Sequence, residues 1–225
     1  MLAYLYLCTQ KKKKVMKTTK NQLAAMLLNI KAVKLEPQNP FTWASGWKSP
    51  IYTDNRKTLS FPKLRSMVKL ELCHAILENF PEAEAVAGVA TGAIAQGALV
   101  ADELELPYAY VRPKPKDHGT GSQIEGSLPE GAKVVVIEDL VSTGMSSLAA
   151  VEALRKAGAE VLGMVAIFTY GFDIAAQRFE EAGVRLDTLS NYGALIEEAT
   201  AEGIVGQAES GLLREWREDP AGWGR

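Results

Sequence analysis

The stretch "KVVVIEDLVSTGMSSLAAVEALRKAGA", residues 133–159, limits the possible folds more than any other part of the chain. Its run of four β-branched apolar residues is typical of a strand that is covered on both faces. Leu148, Val151 and Leu154 then recur at helical spacing and predict a helix over 146–157. A buried strand, a short turn and a helix form the repeating unit of α/β proteins with a parallel central sheet.

The rest of the chain repeats this alternation of strands and helices. We predict strands over 85–89, 107–111, 133–137, 161–168 and 184–190, and helices over 19–30, 62–79, up to Leu104, 146–157 and 173–182. The chain is predicted to end in a short helix and a polar tail. The fold class is therefore α/β, with a central parallel sheet flanked by helices.

Two segments depart from the alternation. Residues 36–56 are rich in proline and aromatic residues, and they predict turns and short strands in a small N-terminal hood. Residues 112–126 are charged and rich in glycine and proline, and they predict a loop. We divide the chain into an extraneous or disordered N-terminal extension (1–18), a helix and hood (19–60), and a core with a C-terminal tail (61–225).

Composition describes an ordinary globular protein of 225 residues, 47% hydrophobic and 23% charged, with a net charge of −2. This charge gives no general attraction to nucleic acid or to an anionic membrane, so an anion site must be local. The N-terminal "MLAYLYLCTQKKKK" is too short for a membrane span, and its charges follow the apolar residues, unlike those of a signal peptide. Cys8 and Cys73 are too few for a disulfide framework and indicate free thiols, so we expect a cytoplasmic protein.

Glu138 and Asp139 stand at the end of the predicted buried strand, the edge of an α/β sheet where ligands bind. The turn "VSTGMS" follows them and leads into the helix. Its backbone N–H groups lie at the positive end of the helix dipole, Gly144 permits a tight turn, and the hydroxyl groups add donors. Carboxylates would repel a neighbouring anion unless the ligand also carries hydrogen-bond donors that need acceptors. A ribose 5-phosphate has this chemistry.

Other nucleotide-binding motifs fit less well. A Walker loop would place lysine after Gly144, and a dinucleotide fingerprint would read Gly-x-Gly-x-x-Gly, which Gly88, Gly92 and Gly97 do not match. A plain strand–turn–helix with capping serines would explain the hydroxyl groups but not two adjacent acids.

"VVVIEDLVSTGMS" resembles the phosphoribosyl diphosphate (PRPP) signature of type I phosphoribosyltransferases. The resemblance implies the type I phosphoribosyltransferase fold, with a hood over a nucleobase. It also implies Mg²⁺ bound mainly through PRPP and chemistry at the anomeric carbon. "GVATGAIAQG", residues 88–97, is similar to the loop that binds diphosphate in this family, without the lysine of some relatives.

"YVRPKPKDHGTGSQIEG" resembles the flexible catalytic loop of the orotate phosphoribosyltransferase family. In that family the loop closes the site of the neighbouring subunit, so the resemblance implies a homodimer in which Arg112, Lys116 and His118 contact diphosphate. Pro113 stands where the family often has lysine, and Lys114 is the available substitute. A solvated basic loop is the alternative.

"FTWASGWKSPIYTDNR", residues 41–56, is similar to the hood motif of the same family, although Ala44 replaces a lysine found in some members. The resemblance implies orotate contacts from the hood and from the phosphate turn: Ser142, Lys48, Tyr52 and Arg56. It implies PRPP contacts from the flexible loop and the signature: Arg112, Lys116, His118, Glu138, Asp139, Leu140, Val141, Ser142, Thr143, Gly144, Met145 and Ser146. Tyr52 could instead fill the core.

The implied reaction transfers ribose 5-phosphate from PRPP to orotate, with Lys116, His118 and Asp139 as catalytic residues. Two alternatives remain open at this point. One is a phosphoribosyltransferase for a purine or another base, and the other is a PRPP-sensing regulator without turnover. Such a regulator would usually lack the cationic loop and carry a nucleic-acid-binding module.

Overall fold

The computed structural model describes residues 18–43, 46–114 and 123–224. The helices within these ranges are α1 Thr19–Asn29, α2 Pro62–Asn79, α3 Ile94–Leu104, α4 Met145–Lys156, α5 Asp173–Glu181, α6 Tyr192–Ala201 and α7 Gln207–Glu218, with a 3-10 helix at Asn55–Ser60. The strands are β1 Val33–Leu35, β2 Phe41–Thr42, β3 Lys48–Ser49, β4 Ile51–Thr53, β5 Ala85–Val89, β6 Tyr108–Val111, β7 Ile124–Gly126, β8 Lys133–Val141, β9 Glu160–Thr169 and β10 Arg185–Asn191.

The core of the described chain is a six-stranded sheet in the order β10-β9-β8-β5-β6-β7. Every pairing in it is parallel except that of β7, which runs antiparallel to β6. The chain leaves β5 on one side for β6 and reaches β8 on the other side. The strand order therefore reverses between β5 and β8, which is where open α/β sheets bind their ligands.

The predicted alternation of strands and helices is confirmed, and the sheet is mostly parallel and flanked by helices. The side chains of residues 134–137 in β8 are fully buried, as their β-branched run predicted. The helix predicted over 62–79 has those bounds. None of the helices in the described ranges is long and apolar enough to cross a bilayer.

The structure corrects the sequence prediction at three places. β8 continues through both acids to Val141, because it pairs with the long strand β9 up to Thr169. Residues 124–126, predicted as loop, form β7 because Ile124 pairs with Val111 of β6. The predicted polar tail contains the helix α7, which is held to the core by the fully buried Trp216.

The hood consists of two small antiparallel pairs, β1 with β4 and β2 with β3, followed by the 3-10 helix. It is attached to the C-terminal part of the chain through aromatic side chains. The Trp43 ring lies 5.4 Å from the ring of Tyr170 and 5.7 Å from that of Trp216. The Trp216 indole N–H donates a 3.2 Å hydrogen bond to the carbonyl of Lys48. Helix α7 thus supports the hood from beneath.

Candidate active site

The two acids at the end of β8 lie in different environments. The Glu138 side chain is only 4% exposed, and one carboxylate oxygen accepts a 2.8 Å hydrogen bond from the Ser147 hydroxyl. The other oxygen accepts a 2.9 Å bond from the Asp139 backbone N–H. Burial, followed by the neighbouring Asp139 carboxylate, raises the pKa of Glu138 to about 8. Glu138 therefore faces inward, toward α4.

Asp139 is partly exposed and lies where the strand order reverses. Its carboxylate lies against Gly92, in the turn that follows β5, and a Cβ added to Gly92 would overlap it. Its main-chain carbonyl accepts a 2.6 Å hydrogen bond from the Asn55 side chain. Asp139 is therefore the member of the acid pair that is available to a ligand between the β5 turn and the β8 turn.

The turn of residues 142–146 has the backbone expected of an anion site. Gly144 has φ +80°, and a side chain there would also press on the Phe179 ring. Helix α4 begins at Met145, slightly earlier than predicted, and Leu148 N–H to Gly144 O closes its first turn. The N–H groups that precede Leu148 in the helix have no acceptor within it. They can bind a phosphate at the positive end of the helix dipole.

A neighbouring helix holds this turn in place. The Arg178 guanidinium, on α5, donates a 2.8 Å hydrogen bond to the carbonyl of Thr143. The bond fixes the peptide that precedes Gly144 and brings a positive charge close to the turn. No sequence pattern marks Arg178, because its partner is a backbone atom 35 residues earlier in the chain.

The turn between β5 and α3 is packed closely against β6. The space beside Gly88 and Gly97 is filled by the Tyr108 side chain, whose hydroxyl donates a 2.7 Å bond to the carbonyl of Ile94. Burial raises the pKa of Tyr108, so this hydroxyl stays protonated. The small residues of "GVATGAIAQG" thus allow the turn to approach both Tyr108 and Asp139.

A cavity of about 440 Å³ lies between the hood and the ends of β8 and β9. It is lined by Phe41, Thr42, Trp43, Tyr52, Thr53, Leu140, Ser142 and Tyr170. Three aromatic rings of the hood thus face the residues that follow the acid pair. A larger cavity, of about 930 Å³, lies beside α6 and α7, and no predicted site residue within the described ranges lines it.

Two of the predicted orotate contacts, Tyr52 and Ser142, line the smaller cavity. The Tyr52 side chain is 41% exposed and lies 5.6 Å, centroid to centroid, from the Phe41 ring, so it is not a core residue. The other two are near it but do not line it. The Lys48 ammonium donates a 2.9 Å bond to the Thr42 hydroxyl at the cavity wall, and Arg56 pairs with Asp54 at 2.7 Å.

The predicted PRPP contacts are only partly brought together. Residues 142–146 form one turn beside Asp139, whereas the Val141 side chain is fully buried in β8. Arg112 and Gln123 exchange two hydrogen bonds, of 2.8 and 2.7 Å, near the ends of the segment predicted as the catalytic loop. Lys116 and His118 lie outside the described residues, as do Ala44, Cys8 and nearly all of the predicted N-terminal extension. These roles stay predictions.

Cys73 plays no part in the site. Its thiol is buried beneath α3, and burial raises its pKa to about 11, so it is protonated at neutral pH.

Tyr170 is a site residue that sequence reasoning missed. It lines the cavity and also contacts Trp43, Phe168, Phe172 and Trp216. The alternating aromatic residues of "FTYGF" at the end of β9 are a signal that could have indicated it, because ligands bind at the carboxyl ends of such strands. Asn55 and Gly92 were also missed as neighbours of Asp139.

The donor set fits a magnesium ion that is bound mainly through its substrate. The described residues contain no cluster of three or more acidic, histidine or cysteine side chains that could hold a metal. Mg²⁺ commonly binds through one or two carboxylates together with substrate phosphates, and Asp139 supplies one accessible carboxylate.

The chain is similar to known phosphoribosyltransferases over most of its length. The family model "Phosphoribosyl transferase domain" matches residues 71–196. An orotate phosphoribosyltransferase of Porphyromonas gingivalis is 60% identical over 93% of this chain and 100% of its own length. One of Phocaeicola vulgatus is 60% identical over 92% of this chain and 98% of its own.

Solved structures agree with this result. The orotate phosphoribosyltransferase of Aeropyrum pernix has a TM-score of 0.72 at 33% identity, covering 82% of this chain and 99% of its own. The UMP synthase of Leishmania donovani has a TM-score of 0.75 at 25% identity and covers 96% of this chain, which spans 46% of that longer protein. The predicted type I phosphoribosyltransferase fold is thus confirmed, and the chain belongs to the orotate phosphoribosyltransferase family.

Proposed function

We propose that this protein transfers the ribose 5-phosphate group of PRPP to orotate, giving orotidine 5′-phosphate and diphosphate, as a cytoplasmic enzyme of pyrimidine biosynthesis. One observation carries the proposal. The anion-binding turn after Asp139 and the aromatic cavity under the hood share Ser142, so a sugar phosphate and a flat base can meet there.

The reaction forms a bond between an orotate ring nitrogen and C1 of the ribose while the bond from C1 to the diphosphate oxygen breaks. The ring nitrogen loses its proton to solvent or to diphosphate. The electron pair of that bond leaves with diphosphate. Positive charge develops on the sugar ring, so no covalent nucleophile is required. Positioning and electrostatic stabilisation supply the catalysis.

The chain's own groups divide these tasks. The N–H groups and hydroxyls of residues 142–146 bind the 5-phosphate, and Asp139 accepts hydrogen bonds from the ribose hydroxyls. The buried Glu138 holds the Asp139 backbone N–H and thereby orients its neighbour. Asp139 would also hold a Mg²⁺ ion that is bound through PRPP, and the ion would then neutralise charge on the diphosphate.

The hood provides the base site. Phe41, Trp43 and Tyr52 offer aromatic faces to a pyrimidine ring. Lys48 and Arg56 bring positive charge toward the carboxylate of orotate, a group that purine bases lack. Lys48 is already directed to the cavity wall by its bond to Thr42.

The direct test follows the ultraviolet absorbance of orotate with purified protein, PRPP and Mg²⁺. We expect absorbance to fall only when all three are present, and diphosphate to appear in equal amount. Adenine, guanine and hypoxanthine serve as competing bases. Turnover of a purine without turnover of orotate, or PRPP binding without turnover of any base, would overturn the proposal. Asp139→Asn is expected to weaken PRPP binding.

The flexible loop is proposed to act across a homodimer, with Arg112, Lys116 and His118 closing on the partner's diphosphate. Lys116→Ala should lower turnover by orders of magnitude without unfolding the protein. Refolding equal amounts of Lys116→Ala and Asp139→Asn chains together tests the sharing. If the loop serves the partner's site, each mixed dimer has one intact site of two. About half of the dimers are mixed, so about a quarter of wild-type activity should return. No recovery would place the loop in its own subunit's site.

A further inference from the structure

A buried chain of hydrogen bonds connects the hood to the acid pair. The Asn55 side-chain amide donates a 2.6 Å bond to the Asp139 carbonyl. The Thr58 hydroxyl donates a 2.6 Å bond to the Asn55 carbonyl, and it accepts a 3.2 Å bond from the Gln96 amide. Asn55, Thr58 and Gln96 are 1%, 0% and 1% exposed. We call these three residues, which lie on the 3-10 helix and α3, the Asn55 relay.

The relay is a poor device for stability alone. The Asp139 carbonyl requires a donor, so the Asn55 side chain must point its N–H₂ group toward Asp139 and its oxygen away from it. The Thr58 hydroxyl uses its hydrogen in the bond to the Asn55 main-chain carbonyl, so Gln96 must also be a donor and point its N–H₂ group toward Thr58. Within the described residues, the side-chain oxygens of Asn55 and Gln96 then have no partner. A buried acceptor without a donor destabilises the folded protein, and apolar residues of similar shape would avoid this cost.

The positions of the three residues indicate what the relay controls. Asn55 holds the peptide that carries Asp139. Gln96 lies in the first turn of α3, directly after the turn that contains Gly92. Gly92 in turn contacts the Asp139 carboxylate. The relay therefore spans the two sides of the point where the strand order reverses, one proposed to face the ribose and the other the diphosphate.

We infer that Asn55, Thr58 and Gln96 are positioning residues that fix the Asp139 carboxylate relative to the turn of residues 90–93. The ribose and the diphosphate, at the two ends of the bond that breaks, are thereby held at a fixed separation. This inference rests on the proposed function. It specifies that the relay acts on PRPP and not on the base, although two of its members belong to the hood segment that approaches the base.

The test compares relay variants with a matched control. Asn55→Ala removes the bond to Asp139, and Thr58→Val removes the two bonds of the Thr58 hydroxyl with little change of shape. Ser190→Ala is the control, because the buried Ser190 hydroxyl likewise donates to a backbone carbonyl, that of Lys20, at 2.9 Å, and it lies outside the site. The readouts are direct PRPP binding by calorimetry, KM for PRPP and for orotate, and Tm.

We expect Asn55→Ala to weaken PRPP binding roughly 10- to 100-fold, which is about 1.4–2.8 kcal/mol, because PRPP must then bind to an Asp139 that the fold no longer holds in place. Thr58→Val should weaken it less, and KM for orotate should change little in either variant. Ser190→Ala should lower Tm and leave PRPP binding unchanged.

Asn55→Asp keeps the shape of the side chain but places a carboxylate oxygen against the Asp139 carbonyl. We expect it to weaken PRPP binding at least as much as Asn55→Ala does, with KM for orotate again little changed. Unchanged PRPP affinity in folded Asn55→Ala, or an equal loss in Ser190→Ala, would overturn the inference. Wild-type protein that fails to bind PRPP would instead refute the proposed function.

Discussion

The Ser147 hydroxyl donates a 2.8 Å hydrogen bond to the Glu138 carboxylate, which links the first turn of α4 to the end of β8. This bond and the one from Asp139 N–H occupy both oxygens of a side chain that is almost fully buried. Glu138 thus serves the fold of the site, while Asp139, one residue later, is accessible to substrate.

Glu138 should make stability depend on pH. Its pKa rises from 4.5 to about 8 on folding, because burial, and then the Asp139 carboxylate, disfavour its charged form. The folded state therefore binds this proton more tightly than the unfolded chain does, and its stability falls as the pH rises through this range. We expect the Tm of Glu138→Gln to rise relative to the Tm of wild type as the pH is raised from 5 to 9. Glu138→Gln removes this titrating group, so parallel Tm curves for the two proteins would contradict the assignment.

Gly92→Ala should impair PRPP binding more than stability. The added methyl group would overlap the Asp139 carboxylate, which must then turn away from the ribose. We expect kcat/KM for PRPP to fall by roughly 100-fold or more, since misplacing a reacting group by about 1 Å has that effect. Gly211→Ala, on α7 with open space at the same position, is the control. Equal kinetics for the two variants would show that this close approach is not needed.

Arg178→Met should loosen the phosphate turn. The variant loses the 2.8 Å bond to the Thr143 carbonyl and a nearby positive charge. We expect KM for PRPP to rise about tenfold, since a hydrogen bond from a charged donor contributes roughly 1.5–3 kcal/mol. Arg155→Met is a matched control, because Arg155 donates a 3.0 Å bond to the Ala182 carbonyl away from the turn. Similar changes in both variants would assign Arg178 to general stability.

Trp216 should couple the C-terminal helix to the base site. Trp216→Ala removes a fully buried ring that contacts Trp43 and Tyr170, and it should cost about 3–5 kcal/mol of unfolding free energy. Trp216→Phe keeps an aromatic ring but loses the N–H bond to the Lys48 carbonyl. We expect this second variant to stay folded and to show a raised KM for orotate with KM for PRPP nearly unchanged. An unchanged KM for orotate would separate α7 from the hood.

The short strand β7 and the helix α7 were not predicted, because pairing with β6 and the burial of Trp216 stabilise them. Local sequence determined most of the other strands and helices and the position of the turn of residues 142–146. The β-branched run of β8 has to be buried on both faces, and the helical spacing after Gly144 has to begin a helix there. These are short-range properties, since each depends on residues that are close together in the chain. The adjacent acids and the turn therefore predict a sugar phosphate site from residues that are close together in the chain.

Tertiary structure decided which side chains act there. Glu138 and Asp139 look equivalent in the sequence, but α4 covers the first and the turn after β5 meets the second. Asn55, Arg178 and Tyr170 reach the site from segments that are distant in the chain, and two of them bind backbone carbonyls. A carbonyl is present at every residue, so no residue pattern marks such a partner, and only the path of the folded chain selects it.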